Sequence, residues 1–296
     1  MTVSTWGRRW LRARVTRWSE ASPSVGRVLP AEPESPTLYV PPADADPEAG
    51  PRDRPLPPAA EWELEESTDP ERYLASGESD VERMRQVLSD HGSALRPGAR
   101  ILDFGCGYGR MIRWLDDEAR TGAVWGTDVD AGRVNWCRQH LTPPFDFVTC
   151  TTFPFLPFED GSFDLVYAGS VVPHLGDLAD AWLLELRRVL APGGDLYLTI
   201  YDAHSAEVLL RERPSSSLGS ALRSVDERTG FAAAGFDVLA VNRQPGRAQV
   251  FFDRGFIDRV WGRWFEVEAV VQDARDVQSA VLLSKRDRPI STVDQA

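Results

Sequence analysis

Apolar and polar positions along this chain switch between a helical period and a strand period, and the switching lays out an α/β chain. Val81, Met84, Val87 and Leu88 recur at helical spacing and close at Gly92. The run Ile101-Leu102 ends in Asp103, and glycines follow at 105, 107 and 109, which predicts a strand, a tight turn and a helix start. Ala123 to Asp128 and Phe163 to Val166 read as further strands. Leu186 to Leu198 reads as a helix and then a strand that continues through Thr199-Ile200-Tyr201. Past Tyr201 the pattern loosens. Ser215-Ser216-Ser217 marks a loop, and Asp237 to Val241 pairs with Ala248 to Phe252 across Arg243-Gln244-Pro245-Gly246 as a small hairpin. Phe256, Ile257, Val260, Trp261 and Trp264 line a helix, and Phe265 to Val271 and Ala280 to Leu283 are the last two strands.

The glycine turn is where the chemistry enters. Glycine at alternate positions after an apolar strand lets the backbone take positive φ and approach a ligand closely, so the turn is built to hold a cofactor. A dinucleotide fingerprint begins the same way. Its third glycine position is occupied here by Arg110, a long cation where that motif needs a small residue, which argues against NAD or FAD.

At this point the chain resembles the class I S-adenosylmethionine-dependent methyltransferases, whose first motif reads acid-x-Gly-x-Gly-x-Gly. Three further agreements follow in order: Asp128 ending the second strand, the lead Leu156-Pro157-Phe158 through Ser162-Phe163-Asp164, and the turn Pro192-Gly193-Gly194. The resemblance implies a Rossmann-like sandwich on a mostly parallel seven-stranded sheet with an antiparallel last strand. It implies S-adenosylmethionine as cofactor, with contacts from Asp103, Gly105, Cys106, Gly107 and Gly109, and with Asp128 and its neighbour Val129 at the ribose. Many relatives carry an acid four residues before the Leu-Pro-Phe triplet, for the adenine amino group. Thr152 stands there in this chain, an uncharged acceptor of roughly half the strength, so Phe153 and backbone groups are expected to share the adenine. Ser170 is expected at the cofactor too. Tyr73, in Tyr73-Leu74-Ala75-Ser76-Gly77, resembles the segment that folds over the cofactor; a buried structural tyrosine is the competing reading.

Composition narrows the acceptor. The chain has 296 residues and a formal net charge of -12, which opposes a polyanionic partner, because nucleic-acid binding depends on clustered cations. No Asn/Asp-Pro-Pro-Tyr or Pro-Cys run is present, and Ser170-Val171-Val172-Pro173 stands where the former would lie. The three cysteines, 106, 137 and 150, are far apart and form no C-x-x-C pair, so neither a metal site nor a disulfide framework is expected and a cytoplasmic setting fits. Residues 1–60 read as a basic helix-like start, with Trp6, Trp10 and Trp18 among arginines, suited to a partner or a membrane surface, followed by a Pro-rich flexible linker that adds nothing to the core. No run is long enough to span a membrane. The methyltransferase domain is expected over 61–290, with 202–253 inserted above the carboxyl ends of the strands as a substrate lid.

The expected activity is methyl transfer to a small molecule of secondary-metabolite or sugar type. Alternatives are a protein or peptide methyltransferase and a catalytically silent cofactor-binding subunit. Candidate bases are His174 and His204, each just beyond a strand end.

Overall fold

The computed structural model describes residues 45, 46, 48–58, 69–242 and 248–286. Helix α1 (Pro70–Asp90) starts on Asp69, whose carboxylate accepts the Glu71 N–H, with proline at the first helical position where a missing N–H is harmless. Its buried face runs from Tyr73 and Leu74 through Gly77, Val81 and Met84 to Leu88. Then come β1 (Arg100–Phe104), α2 (Asp116–Thr121), β2 (Ala123–Asp128), α3 (Ala131–His140), β3 (Asp146–Thr149) and β4 (Phe163–Ala168). These are followed by α4 (Ala179–Val189) and β5 (Leu190–Ile200).

The seven-stranded sheet has the order β3-β2-β1-β4-β5-β9-β8, its last strands being β8 (Phe265–Arg275) and β9 (Gln278–Lys285). The first five strands are mutually parallel, and β9 runs antiparallel to both β5 and β8. The expected fold is therefore the observed one. Parallel strands covered on both faces must be apolar on both, and β1 shows how this is met: Ile101 packs into one layer with Val81, Met84 and Phe147, and Leu102 into the other with Trp125, Trp182 and Leu186. Burying each such large side chain contributes about 1.5–3 kcal/mol. The order of strands reverses between β1 and β4, which is where open α/β sheets hold ligands.

The chain between β5 and β8 is more structured than its pattern suggests. It forms α5 (Ala203–Arg211), α6 (Ser217–Thr229), α7 (Phe231–Ala234), the hairpin β6 (Val238–Asn242) and β7 (Gln249–Phe252), and α8 (Arg254–Val260). The serine cluster read as a loop supplies the cap of α6, where Ser216 accepts the Gly219 N–H at 3.0 Å. Leu209, Leu222, Phe231 and Phe251 bury a small apolar cluster in this segment, joined by Val277 from the β8–β9 turn. The segment is tied to β5 by the Phe252 N–H, which donates to the Tyr201 carbonyl at 2.9 Å, and by Tyr201 stacked on Phe251 at 5.0 Å.

One expectation needs correcting. Composition assigns residues 48–58 to a free linker, yet they lie against the domain. Arg54 is 3% exposed, pairs with Asp116 at 2.5 Å and donates to the Arg113 carbonyl, while Arg113 donates back to the carbonyls of Arg54 and Pro55. Proline-rich chain has no helix or sheet to satisfy its backbone, and here an arginine of the domain does so. The helix-like start at Trp6 to Trp18, the stretch 59–68 and the hairpin turn at 243–246 lie outside the described residues.

Candidate active site

The glycine turn leaves β1 and is clamped to β2. The N–H groups of Gly105 and Cys106 both donate to the Thr127 carbonyl, at 2.7 and 3.0 Å, and the Gly107 N–H donates to Asp128 Oδ2 at 3.0 Å. Asp128 Oδ1 accepts the Asp130 N–H at 2.9 Å, so one carboxylate fixes two backbone segments and still has lone pairs for a ligand. All three glycines have positive φ, at 82, 54 and 75°. Their surroundings differ. A Cβ on Gly105 would overlap Val171 and one on Gly109 would overlap Leu141, whereas one on Gly107 would meet nothing within 4 Å. Gly105 and Gly109 are thus demanded by packing, and Gly107 by open space above the turn that a ligand can fill. The thiols of Cys137 and Cys106 lie behind the turn, 3.4 and 3.7 Å from the Gly107 carbonyl.

Asp103 sits at the foot of this space, 3% exposed, beside Tyr167 in the β1–β4 register. Burial pushes its carboxyl up to about 7, with the Tyr167 phenol and Arg110 favouring the charged form and Asp128 opposing it. On the other side of Asp128, Val129 and Phe153 are 54% and 74% exposed. They follow the adjacent ends of β2 and β3, and two bare apolar side chains beside a ribose-competent carboxylate suit a flat, largely apolar ring. Thr152 is exposed next to them. The donor set and the open cradle therefore fit an adenosyl cofactor with a cationic amino-acid end.

Ser170, just past β4, takes a left-handed backbone (φ 61°), which costs a non-glycine residue about 1–2 kcal/mol. A closed ring of buried hydrogen bonds holds it. Its N–H donates to Thr199 Oγ1 at 2.7 Å, Thr199 donates to Gln278 Oε1 at 2.7 Å, and the Gln278 amide donates to Ser170 Oγ at 2.8 Å. Neither Thr199 nor Gln278 is marked in the sequence, because the partners are 29 to 108 residues apart.

The remaining candidates are dispersed. Tyr73 is 6% exposed and packs with Leu74 against Leu56 and Trp114. His174, in the turn Val172–His174 after β4, has Nδ1 at 2.8 Å from the Ala248 carbonyl, a backbone acceptor beside β7. His204 opens α5 and holds Asp273 Oδ1 at 2.9 Å through Nε2, on the wall of an open cavity of about 460 Å³ shared with Asp202, Asp253, Arg254 and Gln272. The two histidines thus serve different places and are not brought together. Among the described residues no group of three His, Cys, Asp or Glu side chains could hold a metal ion, and no helix is long and apolar enough to cross a membrane.

Comparison with known proteins agrees with this architecture. A family model described as a methyltransferase domain matches residues 102–198. The chain is 30% identical over 215 residues to a phthiotriol/phenolphthiotriol dimycocerosates methyltransferase of Mycobacterium ulcerans, covering 68% of this chain and 74% of that one. It is 31% identical over 158 residues to a fatty-acid O-methyltransferase of Mycolicibacterium smegmatis, covering 51% and 57%. It is 35% identical over 133 residues to a ubiquinone/menaquinone biosynthesis C-methyltransferase of Xanthomonas campestris, covering 39% and 52%, so it spans less than two thirds of these last two. A crystal structure of a protein from Pyrococcus horikoshii superposes with a TM-score of 0.50 at 19% identity, over 70% of this chain and 90% of that one, and shares the fold. Strand order, glycine turn and these likenesses agree: the chain belongs to the class I S-adenosylmethionine-dependent methyltransferases, with S-adenosylmethionine as its cofactor.

Proposed function

We propose that the methyl group goes to a small-molecule acceptor of secondary-metabolite or sugar type, held beneath the 202–253 segment, with His174 taking the acceptor proton. The observation that carries this reading is the bond between His174 Nδ1 and the Ala248 carbonyl. A carbonyl can only accept, so Nδ1 carries a proton, and in the neutral ring Nε2 then keeps its lone pair, the tautomer a general base needs. The same bond fastens the imidazole to the segment that would cover an acceptor. The relatives' names, which cite phthiotriol, fatty-acid and quinone compounds, also favour a small acceptor.

When bound, the cofactor supplies an electrophilic methyl on a sulfonium. The chain's part is to hold and aim. The turn at Gly105, Gly107 and Gly109, the carboxylates of Asp103 and Asp128, and the apolar pair Val129 and Phe153 would seat it, and the strained Ser170 peptide fixes the loop that faces it. In-line positioning of this kind supplies much of the barrier reduction, and proton removal the remainder. Replacing His174 by Asn, which can still donate to the Ala248 carbonyl but cannot take a proton, is expected to lower kcat about 10²–10⁴-fold with cofactor affinity unchanged. The assay is conversion of S-adenosylmethionine to S-adenosylhomocysteine with a metabolite fraction, with mass spectrometry of the product. Normal turnover in the Asn variant would move catalysis to positioning alone.

Asp103 gives the site a pH signature. With its carboxyl near 7 in the free protein, a cationic cofactor favours the ionised form, so binding below about pH 7 must expel a proton. Affinity is expected to rise as pH goes from about 6 to about 7 and then level. For the fold the sign is opposite: the native state holds this proton more tightly than the unfolded chain does, so this group's contribution to stability falls as pH rises from about 4 to about 7. Calorimetry of cofactor binding in buffers of different ionisation enthalpy reads the proton directly. Zero release at pH 6 would mean that the cofactor's charge lies away from Asp103.

A further inference from the structure

Two arginines share one aspartate beside the glycine turn, and neither is used by the chemistry above. Arg110, the residue that follows Gly109, pairs with Asp80 of α1 and donates to Ser76 Oγ at 3.1 Å. Arg275, at the end of β8, reaches the same Asp80 oxygen with Nε at 2.9 Å. All three side chains are at most 15% exposed. Two guanidinium groups and one carboxylate in so little water are poorly matched, since removing a cation from water is repaid only by a well-placed anion. Arg275 shows the consequence: burial and the charge of Arg110 both work against its protonated form, and Asp80 and the Tyr201 phenol only partly offset them. Asp103, the other carboxylate near Arg110, has its carboxyl pushed up to about 7 by burial.

The position of Arg275 says where the missing anion would come from. In the β8–β9 ladder it stands opposite Gln278, the residue whose amide holds Ser170, so it lies at the carboxyl edge of the sheet where the cofactor turn opens. Tyr201, its neighbour, is the residue on which Phe251 of the covering segment stacks. Among the described residues Asp80 is the hydrogen-bond partner of Arg275, and it takes Nε. The terminal Nη pair of the guanidinium is a planar fork that matches a carboxylate. Asp273, two residues earlier, is engaged by His204 and does not fill this role.

We propose that Arg275, backed by Arg110, reads a carboxylate on the acceptor. The proposal rests on a small molecule entering beneath the covering segment, and it adds that this molecule is an acid. Asp80 then acts as the shared counterion that keeps the two guanidinium groups in place before the acceptor arrives.

The test uses the full chain saturated with S-adenosylhomocysteine, and the probes are octanoate and benzoate against octanamide and benzamide. At least one acid is expected to bind tenfold or more tighter than its amide. Arg275→Gln is expected to erase that preference, and Arg275→Lys to keep part of it, with S-adenosylhomocysteine affinity within about twofold of the parent in both. Because Asp80 keeps Arg110 in either variant, an unchanged melting temperature verifies the fold. Acids and amides binding alike, or neither binding at millimolar concentration, overturns the proposal. So does a loss of S-adenosylhomocysteine affinity in Arg275→Gln without a loss for 5′-methylthioadenosine, which lacks the amino-acid end, because Arg275 would then hold the cofactor's carboxylate. In each of these outcomes cofactor binding by the parent protein remains, so a failed anion site is told apart from a failed methyltransferase reading.

Discussion

Arg54→Ala is expected to destabilise the protein by about 3–5 kcal/mol, the cost of leaving a buried charge without its partner. The partner is Asp116, whose side chain is 11% exposed. The loss extends beyond the ion pair. Arg54 also lies over the Phe145 ring at 5.1 Å and caps the Arg113 carbonyl, so its removal opens a gap beside two further buried groups. Urea denaturation of the single variants and of Arg54→Ala with Asp116→Ala checks the mechanism. The double variant should cost no more than Arg54→Ala alone, since with both groups gone no buried charge is left unpaired and only the lost contacts to Phe145 and the Arg113 carbonyl remain. A midpoint for Arg54→Ala within about 1 kcal/mol of the parent would return residues 48–58 to the role of a passive linker.

Gly107→Val is expected to abolish measurable cofactor binding, a loss of more than about a hundredfold, while the protein stays folded. No atom lies within 4 Å of the added Cβ, so the fold bears only the strain of a branched residue at φ 54°, about 1–2 kcal/mol, whereas the ligand bears the whole obstruction. Gly109→Ala is the contrast. Its methyl would overlap Leu141 at positive φ, and the melting temperature should fall as well. Asp128→Ala should weaken binding tenfold to a few hundredfold, from one or two charge-assisted hydrogen bonds of about 1.5–3 kcal/mol each. Calorimetry separates the three. Equal affinities for Gly107→Val and the parent would place the cofactor elsewhere.

Much of the cofactor half was legible in the sequence because its determinants are local. A strand, an acid and three glycines within ten residues state the turn, and Asp128 closes it from the next strand. The same locality explains what was missed. Gln278 and Thr199 acquire meaning only from Ser170, and Arg275 only from Asp80, 195 residues away, and no window of sequence contains those pairs. Arg54 was hidden differently: its surroundings have the composition of a linker, and composition does not register one long side chain that finds a buried partner. In the 203–229 region, two short amphipathic helices lie on either side of a serine cluster that reads equally well as a loop or as a helix cap.

The separate apolar cluster of the 202–253 segment, with Leu209, Leu222 and Phe251 inside it, bears on how such an enzyme changes its substrate. If the segment covers the acceptor, as proposed, a piece with much of its interior to itself can change the residues around Leu209 and Leu222 at small cost to the packing beneath the glycine turn. It is fastened to the rest by the Phe252 N–H on the Tyr201 carbonyl, by the Ser205 hydroxyl on the Val277 carbonyl at 2.6 Å, by His174 on the Ala248 carbonyl, and by Val250 and Phe252, which join the main core. The molecule is in this sense two workpieces in one vice. On the proposed reading, methyl donation is shaped by the turns after β1 and β2, and the choice of recipient by residues on the other side of Ser170.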